Sequence, residues 1–305
     1  MNMLRAWSLR VAVAVAMVAA VLALTAPAEA ETKHCTEIAA VPYRITAPGH
    51  YCLHRDLQLA STASAPKNAI YISGASHVVV DCNGHTITGP GGADSGAGVV
   101  ADALYFPTVR PANNIVVRNC RLAAVRPGIS LHGHGHVVED NHVDGAMGAG
   151  IRVSGLDGVV RRNRVSNTVG WTGTSWRVTG IAVTGGIDVL DNSIDGVTAA
   201  AGSDDDAFGI YVSSQPNAVI AGNRIRHLVK DHLGAAYGIY LDKPERASIH
   251  GNRLSNPEGA VGGVFCDDPA EPGFEQYPAI ASDNLFNGFL GGVVGCVDGG
   301  DNVMQ

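Results

Sequence analysis

Residues 209–241 read GIYVSSQPNAVIAGNRIRHLVKDHLGAAYGIYL, and this segment is the unit that the rest of the chain repeats. It opens on the phrase Gly-Ile-Tyr-Val and closes on the matching phrase Gly-Ile-Tyr-Leu. The two isoleucines, Ile210 and Ile239, are 29 residues apart. Between them lie a polar turn, the apolar run 218–220, a Gly-Asn bend and a long variable loop. The segment therefore combines two short apolar phrases with one bend in each repeat.

The Gly-Ile phrase recurs through the 305 residues at steps of 22 to 30 residues, mostly 29 or 30. Its apolar residue falls at Ile70, Val99, Ile129, Ile151, Ile181, Ile210, Ile239, Val264 and Val293. Self-similarity at a fixed period of this length is typical of a solenoid.

A second phrase, an apolar run followed by Asn-x-Val/Ile/Leu, alternates with the first. Its asparagines are Asn141, Asn163, Asn192, Asn223 and Asn252, with Asn119 and Asn284 as near matches. Both phrases alternate apolar and polar residues over three to five positions, which predicts short strands rather than helices. Three short strands per turn, joined at Gly and Asn bends, predict a parallel β-helix. Stacked asparagines at one bend are expected to bond amide to amide along the axis.

These residues resemble the right-handed parallel β-helix proteins of the pectate-lyase-like superfamily over about residues 69–302. The opening phrase 49–53 and the segment 78–87, VVVDCNGHTI, are similar to the usual first coils of such proteins. The resemblance implies an all-β, single-stranded right-handed parallel β-helix of about nine coils with an N-terminal cap. That superfamily contains lyases, hydrolases, epimerases, phage tailspikes and proteins without known activity, so the fold does not name the chemistry.

The chain divides into three predicted parts. Residues 1–30 resemble a secretory signal, with Arg5 and Arg10 before an apolar run and a small-x-small site at residues 28–30. Residues 31–68 are the predicted cap, and residues 69–305 are the predicted repeats. The apolar run is short for a membrane span, and we do not expect this chain to be an integral membrane protein. The predicted location is secreted or periplasmic.

Export sets the redox state expected of the six cysteines. They form sequence-local pairs, and an even count in an exported chain favours disulfides. The predicted pairs are Cys35 with Cys52, Cys82 with Cys120, and Cys266 with Cys296. The alternative is that some of these cysteines are reduced and buried in the core.

The formal net charge of −7 makes nucleic acid a poor partner. The charge is uneven, because arginines dominate residues 119–177 and aspartates dominate the coils that follow. Such a basic region suits an anionic sugar, while solvated outward charge is the simpler interpretation.

The predicted ligand surface is the outward face of the Gly-Ile-x-Val strands. The three longest consecutive loops, 166–179, 195–208 and 226–237, are expected to form a wall beside it. The predicted substrate-binding residues are Trp171, Trp176, Arg177, Tyr211 and His232. Aromatic rings suit the C–H faces of a sugar, and charged groups suit its hydroxyls.

Two enzymatic alternatives use residues on the same face. Asp205 or Asp206 with Asp242 would supply the carboxylate pair of a glycoside hydrolase. Arg152, Tyr240 and Lys243 are the types that a uronate lyase needs, to neutralise a carboxylate and to remove a proton. Neither set forms an ordered family motif.

We expect no metal and no cofactor, with Ca²⁺ at the Asp204–Asp206 run as the open alternative. His132, His134 and His136 alternate along the chain, yet the glycines between them favour a turn over a metal site.

The sequence therefore predicts a secreted protein that binds polysaccharide along one strand face without catalysis. The alternative is a polysaccharide-degrading enzyme, either a uronate lyase or a glycoside hydrolase. No helix is predicted after the last coil, and an open strand edge invites pairing. Another subunit or partner is expected to cover that end, which leaves a homo-oligomer as one alternative.

Overall fold

The computed structural model describes residues 34–60, 68–92, 95–101, 112–171, 177–267 and 279–305. These residues belong to one compact unit, His34–Gln305. They contain strands, turns and bends but no helix. The predicted signal at residues 1–30 and the predicted substrate-binding residue Trp176 lie outside the described residues.

The described residues form 29 strands, numbered here in chain order. They are β1 Thr36–Glu37, β2 Tyr43–Ile45, β3 Gly49–Cys52, β4 Leu57–Gln58, β5 Ile70–Ile72, β6 Val78–Asp81, β7 Thr86–Thr88, β8 Val99–Ala101, β9 Ile115–Arg118, β10 Arg121–Ala123, β11 Ile129–His132, β12 Val137–Glu139, β13 His142–Asp144, β14 Ala149–Ser154, β15 Gly158–Arg161, β16 Arg164–Val169, β17 Val178–Thr184, β18 Ile187–Leu190, β19 Ser193–Thr198, β20 Ala207–Pro216, β21 Val219–Ala221, β22 Arg224–Val229, β23 Ala236–Glu245, β24 Ser248–His250, β25 Arg253–Asp267, β26 Ile280–Ser282, β27 Leu285–Val294, β28 Val297–Gly300 and β29 Val303–Met304.

Each turn of the chain passes through three strand positions, and every pairing among the described strands is parallel to the equivalent strand of the next turn. The first position, face 1, is an eleven-stranded sheet in the order β1-β3-β6-β9-β12-β15-β18-β21-β24-β26-β28. Face 2 runs from β4 through β7, β10, β13, β16, β19 and β22. Face 3 runs from β2 through β5, β8, β11, β14, β17, β20 and β23. Strands β25 and β27 each contribute to both face 2 and face 3, so these two faces form one continuous sheet. The architecture is the predicted all-β parallel β-helix.

The interior is filled by alternate residues of each phrase, such as Ile181 and Val183. The predicted phrase residues Ile70, Val99, Ile129, Ile181 and Ile239 are all fully buried. Outward neighbours such as Arg152 and Tyr211 remain partly exposed, because successive side chains of a strand point to opposite sides. The alternation in the sequence is therefore the inside–outside alternation of the coil.

The predicted ladder of asparagines is confirmed. Asn141, Asn163, Asn192, Asn223, Asn252, Asn284 and Asn302 stack along the axis, and each Nδ2 but the last donates to the Oδ1 of the next asparagine at 2.9–3.0 Å. Asn119 departs from this pattern, because its neighbour Cys120 occupies the ladder position and donates its N–H to Asn141.

The three predicted disulfides are present. Cys35–Cys52, Cys82–Cys120 and Cys266–Cys296 join Cα atoms 5.8, 4.6 and 5.1 Å apart. These separations lie in the range that a disulfide needs, and they are close to the spacing of adjacent strands. Cys82–Cys120 precedes the asparagine ladder and links two successive coils.

The described part of residues 31–68, the segment predicted as a cap, already adopts the strand pattern of the coil. Strand β2 pairs in register with β5, and β3 pairs with β6, so the coil pattern begins before residue 69. Strands β1 and β4 are only two residues long, which is too short for a periodicity to show in the sequence.

Each Gly-Ile phrase needs its glycine because adjacent coils approach closely there. A Cβ added at Gly209 would lie 2.6 Å from the carbonyl oxygen of Gly238 and 2.5 Å from Cγ2 of Ile225. A backbone atom and a buried side chain leave no room for a methyl group. The phrase glycine is therefore fixed by packing between coils.

The last coil exposes apolar side chains. Leu290 is 80% exposed and Met304 49% exposed, and every residue of β28 and β29 is exposed. In the described part of the chain, no helix is long and apolar enough to cross a membrane.

Candidate functional site

A file of polar side chains runs along face 3, at the position three residues after each phrase isoleucine or valine. Its members are His132, Ser154, Thr184, Ser213, Asp242 and Asp267, and each is in register with the next. We call this row the polar file. Adjacent members belong to strands about 4.8 Å apart. All six are partly or fully exposed, so the file presents hydroxyl, imidazole and carboxylate groups in one line.

Beside the acidic end of the polar file lies a stack of three aromatic rings. Tyr211 stacks on Tyr240 with ring centroids 5.7 Å apart, and Tyr240 stacks on Phe265 at 5.4 Å. Phe208 and Tyr237 contact Tyr240 edge-on at 5.1 Å each. Offset and edge-to-face pairs of this kind stabilise beyond the burial of area alone. The five rings form a rigid wall, called here the aromatic stack.

The tyrosine hydroxyls bind the carboxylates of the polar file. Tyr211 donates to Oδ2 of Asp242 at 2.8 Å, and Tyr240 donates to Oδ2 of Asp267 at 2.6 Å. Each tyrosine therefore reaches the aspartate of the following coil. The second oxygen of each carboxylate has no partner among the described residues, which leaves one open acceptor per aspartate.

Burial and these hydrogen bonds change the acidity of the tyrosines. Burial raises the pKa of Tyr240, and its hydrogen bond to Asp267 raises it further. The pKa of Tyr211 is raised first by burial and then by its bond to Asp242. Both hydroxyls therefore stay protonated at neutral pH and act as donors rather than bases.

Arg177 contacts the aromatic stack at Tyr211. Its guanidinium carbon lies 4.7 Å from the ring centroid of Tyr211, and its Nη1 donates to the Tyr211 hydroxyl. The same carbon lies 6.0 Å from the ring centroid of Tyr240, so Arg177 does not cover the face of Tyr211 opposite Tyr240. Tyr240 covers one face of the Tyr211 ring, and sugar stacking on Tyr211 stays a prediction.

Arg152 lies on the same outward row as Tyr211, two strands away, with Ala182 between them. Burial lowers the pKa of its guanidinium. It forms no side-chain hydrogen bond or ion pair with any residue that the structure describes. Arg152 is therefore a partly buried cation beside the polar file.

The aspartates of loop 195–208 fasten that loop to loop 226–237. Asp206 accepts the N–H of Ala235 at 2.7 Å, and Asp204 accepts the N–H of Leu233 at 3.3 Å. Asp205 is 8% exposed, and its Oδ2 has no partner among the described atoms. Asp242 accepts from Tyr211 and Ser213, and its predicted role in a carboxylate pair with Asp205 or Asp206 stays a prediction. The carboxylate opposite Asp242 in the neighbouring coil is Asp267.

Three further predicted residues lie away from the aromatic stack. Lys243 is exposed, and its side chain forms no hydrogen bond or ion pair with a described residue. His232 is exposed in the loop turn, where its carbonyl accepts from Lys230. Trp171 lies 3.7 Å from the guanidinium carbon of Arg126, which covers its ring. The structure therefore gathers Arg177, Tyr211, Tyr240 and Asp242 into one place and leaves these three outside it.

Phe208 and Tyr237 were not predicted as site residues, although they are two of the five rings of the aromatic stack. The signal was available, because each comes directly before a phrase glycine and the two are in register.

Two of the three histidines of residues 132–136 use a ring nitrogen in a hydrogen bond to the backbone. His134 Nδ1 accepts the N–H of Leu156 at 3.2 Å, and His136 Nδ1 accepts the N–H of Ile115 at 3.3 Å. Burial lowers the pKa of His136 to about 4, so this imidazole is neutral. Within the described ranges, only the ligand atoms of Cys35, Cys52 and His54 group within 4.8 Å, and both cysteines are in a disulfide.

Comparisons with known proteins agree with this architecture. The family described as "Right handed beta helix region" matches residues 108–288. The chain is similar to the enzymatically active domain of tailspike protein 2 of bacteriophage CBA120, with 14% identity and a TM-score of 0.53. That likeness covers 81% of this chain and 38% of the tailspike chain, and it shows a shared fold.

Two more distant structures are also similar. The A-module of a mannuronan C-5 epimerase from Azotobacter vinelandii has 12% identity, a TM-score of 0.37 and 89% coverage of both chains. An alginate lyase from Paenibacillus sp. has 14% identity, a TM-score of 0.34, and coverage of 84% of this chain and 87% of its own. No curated protein matches the sequence.

Proposed function

Because the chain belongs to the right-handed β-helix family, we propose that it binds a polysaccharide along face 3, through the polar file. The observation that carries the proposal is the register of that file, which aligns six polar side chains at one strand spacing. A linear polysaccharide repeats its hydroxyls along its length. A row of donors and acceptors at regular intervals suits such a ligand better than a single small molecule.

The acidic end of the polar file is the best-prepared part of this surface. Tyr211 and Tyr240 hold Asp242 and Asp267 by one oxygen each and leave the other oxygen open. Holding these carboxylates in place before binding lowers the ordering cost of the complex. Sugar hydroxyls donate well to such ionised acceptors. Asp242 and Asp267 are therefore the residues we expect to dominate affinity.

The three disulfides support the proposed location. Such bonds form in oxidising compartments, outside the cell or in the periplasm. Together with the predicted signal at residues 1–30, they favour export to a compartment in which polysaccharides are found.

Binding is tested by calorimetry against a panel of neutral and uronate polysaccharides, with and without Ca²⁺. Asp242→Asn keeps the shape of the side chain and removes its charge. Since a hydrogen bond to a charged group contributes about 1.5–3 kcal/mol, we expect affinity to fall by about tenfold or more. Asp157→Asn is the matched control, because Asp157 is exposed on a face 1 turn and its φ of 58° also suits asparagine. Equal affinities for both variants and the parent protein would refute binding at the polar file.

One observation favours a glycoside hydrolase as the second candidate. Asp242 and Asp267 occupy opposite positions on adjacent strands, about 4.8 Å apart at the backbone. Retaining glycosidases hold their two carboxyl groups at about 5–5.5 Å. Reducing ends released from a neutral polysaccharide, and abolished by both Asp242→Asn and Asp267→Asn, would establish this activity. Unsaturated uronate products would instead point to a lyase that uses Arg152.

Self-association through the last coil is a further part of the proposal. Strands β28 and β29 are exposed throughout, and their side chains include Val297, Val303 and Met304. A second subunit covering this edge would remove apolar surface from water and pair the open strands. Light scattering at increasing protein concentration measures this directly. A monomer at every concentration would exclude it.

A further inference from the structure

A second row of outward residues runs along face 2, at the position that directly follows Cys120 and the ladder asparagines from Asn141 to Asn252; the same register continues into Leu285 and Val303. Its members are Arg121, His142, Arg164, Ser193, Arg224 and Arg253, on β10, β13, β16, β19, β22 and β25. Each is in register with the next, so the row spans five strand spacings, about 24 Å. We call it the arginine row. It uses a different strand of each coil from the polar file.

The arginines of this row are exposed and lack partners. All four are classed as exposed, and none forms a side-chain hydrogen bond or ion pair with a described residue. The acids nearest in sequence are already occupied. Asp144 accepts from Ser166 at 2.5 Å, and Asp195 accepts from Arg226 at 2.7 Å. The row is therefore positive and forms no ion pairs among the described residues, although the whole chain is acidic; only electrostatic attraction without hydrogen bonds links Arg121 to Asp56 and Arg164 to Asp144.

The clearest sign of a missing partner is the pair Arg224 and Arg253. They lie directly opposite each other on adjacent strands, with no carboxylate bonded to either in the described chain. Like charges in this position destabilise a sheet. Elsewhere the coil resolves the same problem with alternating signs, as in the bond from Arg161 to Glu139 at 2.7 Å. The repulsion between Arg224 and Arg253 would be relieved by an anion bound between them.

We propose that the arginine row is a second binding surface, for a linear anionic polysaccharide that carries carboxylate or sulfate groups. Guanidinium groups bind such anions in a bidentate way, and the row presents them one or two strand spacings apart. The parallel strands hold the row straight, which fits an extended chain with regularly spaced charges. This inference does not rest on binding at the polar file.

Two other polyanions fit the row less well. The row holds no Phe, Tyr or Trp on which bases would stack, and the protein's charge of −7 opposes nucleic acid. The next outward row of face 2 includes Asp144, Ser166, Asp195 and Ser255. It offers no apolar surface of the kind that an interfacial membrane contact buries.

The test compares two variants that each lose two positive charges. Arg224→Gln/Arg253→Gln changes the row, and Arg44→Gln/Arg55→Gln changes two exposed arginines elsewhere, which bond to Ser73 and to the carbonyl of Ala39. Binding of the full chain to polygalacturonate, dextran sulfate, neutral pullulan, a single-stranded oligonucleotide and phosphatidylglycerol vesicles is measured at low and at physiological salt.

We expect polygalacturonate or dextran sulfate to bind the parent protein with an affinity that falls as salt rises. The row variant should bind about fivefold to tenfold more weakly, while the control variant keeps the parent affinity. The melting temperature of the row variant should be unchanged or higher, because a repulsion has been removed.

Four results would overturn the proposal. The first is equal affinity of the row variant and the parent, and the second is an equal loss in the control variant. The third is binding of none of the anionic polysaccharides. The fourth is row-dependent binding of the oligonucleotide or the vesicles in their place. None of these results depends on Asp242, so failure here and failure at the polar file are distinguishable.

Discussion

The asparagine ladder allows a sharp prediction about stability at its interior residue Asn192, which bonds to the asparagines on both sides. Asn192 is 1% exposed, and its amide takes part in four hydrogen bonds. Its Oδ1 accepts the backbone N–H and the Nδ2 of Asn163, at 2.9 and 3.0 Å. Its Nδ2 donates to the carbonyl of Val160 at 2.9 Å and to Oδ1 of Asn223 at 3.0 Å.

The magnitude follows from which partners are left unpaired in Asn192→Ala. The Nδ2 of Asn163 keeps its bond to the carbonyl of Val138, and the Oδ1 of Asn223 keeps the backbone N–H of residue 192. The backbone N–H of Asn163 loses its acceptor, the Oδ1 of Asn192, and the carbonyl oxygen of Val160 loses its donor, the Nδ2 of Asn192. At about 1–3 kcal/mol for each buried group left unsatisfied, the variant should lose about 2–6 kcal/mol of unfolding free energy.

Asn302→Ala is the matched control, because Asn302 is the last rung and is only partly buried. Its loss should be about 1–2 kcal/mol, since solvent can replace part of its bonding. Urea unfolding followed by circular dichroism measures both losses. The slope with denaturant shows whether the coil unfolds as one unit, which repeat proteins do not always do. Equal losses at the middle and at the end of the ladder would refute the reasoning.

Three further predictions concern other parts of the coil. Gly209→Ala should lower the unfolding free energy by about 1–3 kcal/mol, because the added methyl group overpacks against the next coil. Gly262→Ala is the control and should lower it less, because a Cβ there meets nothing closer than 3.4 Å. Thermal melts compare the two, and equal shifts in melting temperature would contradict close approach of the coils as the cause. Replacing Cys266 and Cys296 by serine should cost about 3–4 kcal/mol, because the bond closes a loop of 30 residues; a melting temperature insensitive to reductant would count against this. Hydrogen bonds from Ser166 and Asn167 hold the pKa of Asp144 below its usual range, so the stability that they contribute is present above the unfolded pKa of about 3.9 and is lost as pH falls through the folded pKa. Asp144→Asn should therefore flatten the acid limb of the stability profile, and an unchanged limb would show that Asp144 does not contribute.

Most of the fold was predictable from the repeat in the sequence. A strand repeats every two residues and a coil about every 29, so the alternation in Gly-Ile-x-Val already separates core from surface. The ladder was predictable for the same reason, since an asparagine at the same bend of every coil stacks on itself. The disulfide pairs followed because adjacent coils bring equivalent positions within reach of one another. The first coil, with β1 and β4 of two residues each, was too short to show any pattern.

The site was less predictable, and the arginine row shows why. Its members directly follow the ladder residues, so the sequence predicts that they align. The sequence does not predict that the arginines lack ion-pair partners. Whether Arg224 has a carboxylate partner depends on where the side chain of Asp195 points, and that aspartate bonds to Arg226 and His227. Periodicity gives the position of a residue on a face, but it does not give the direction of its side chain.

The sequence by itself determined the period, the three strands of each coil, the buried residues, the asparagine ladder and the cysteine pairs. These features depend on contacts between equivalent positions, which a repeat makes identical from coil to coil. Only the tertiary structure decided that Tyr211 reaches Asp242, that Arg177 donates to the Tyr211 hydroxyl, and that Asp206 fastens a loop. Those contacts join positions that are not equivalent, across coils and loops of unequal length, and the repeat does not specify them.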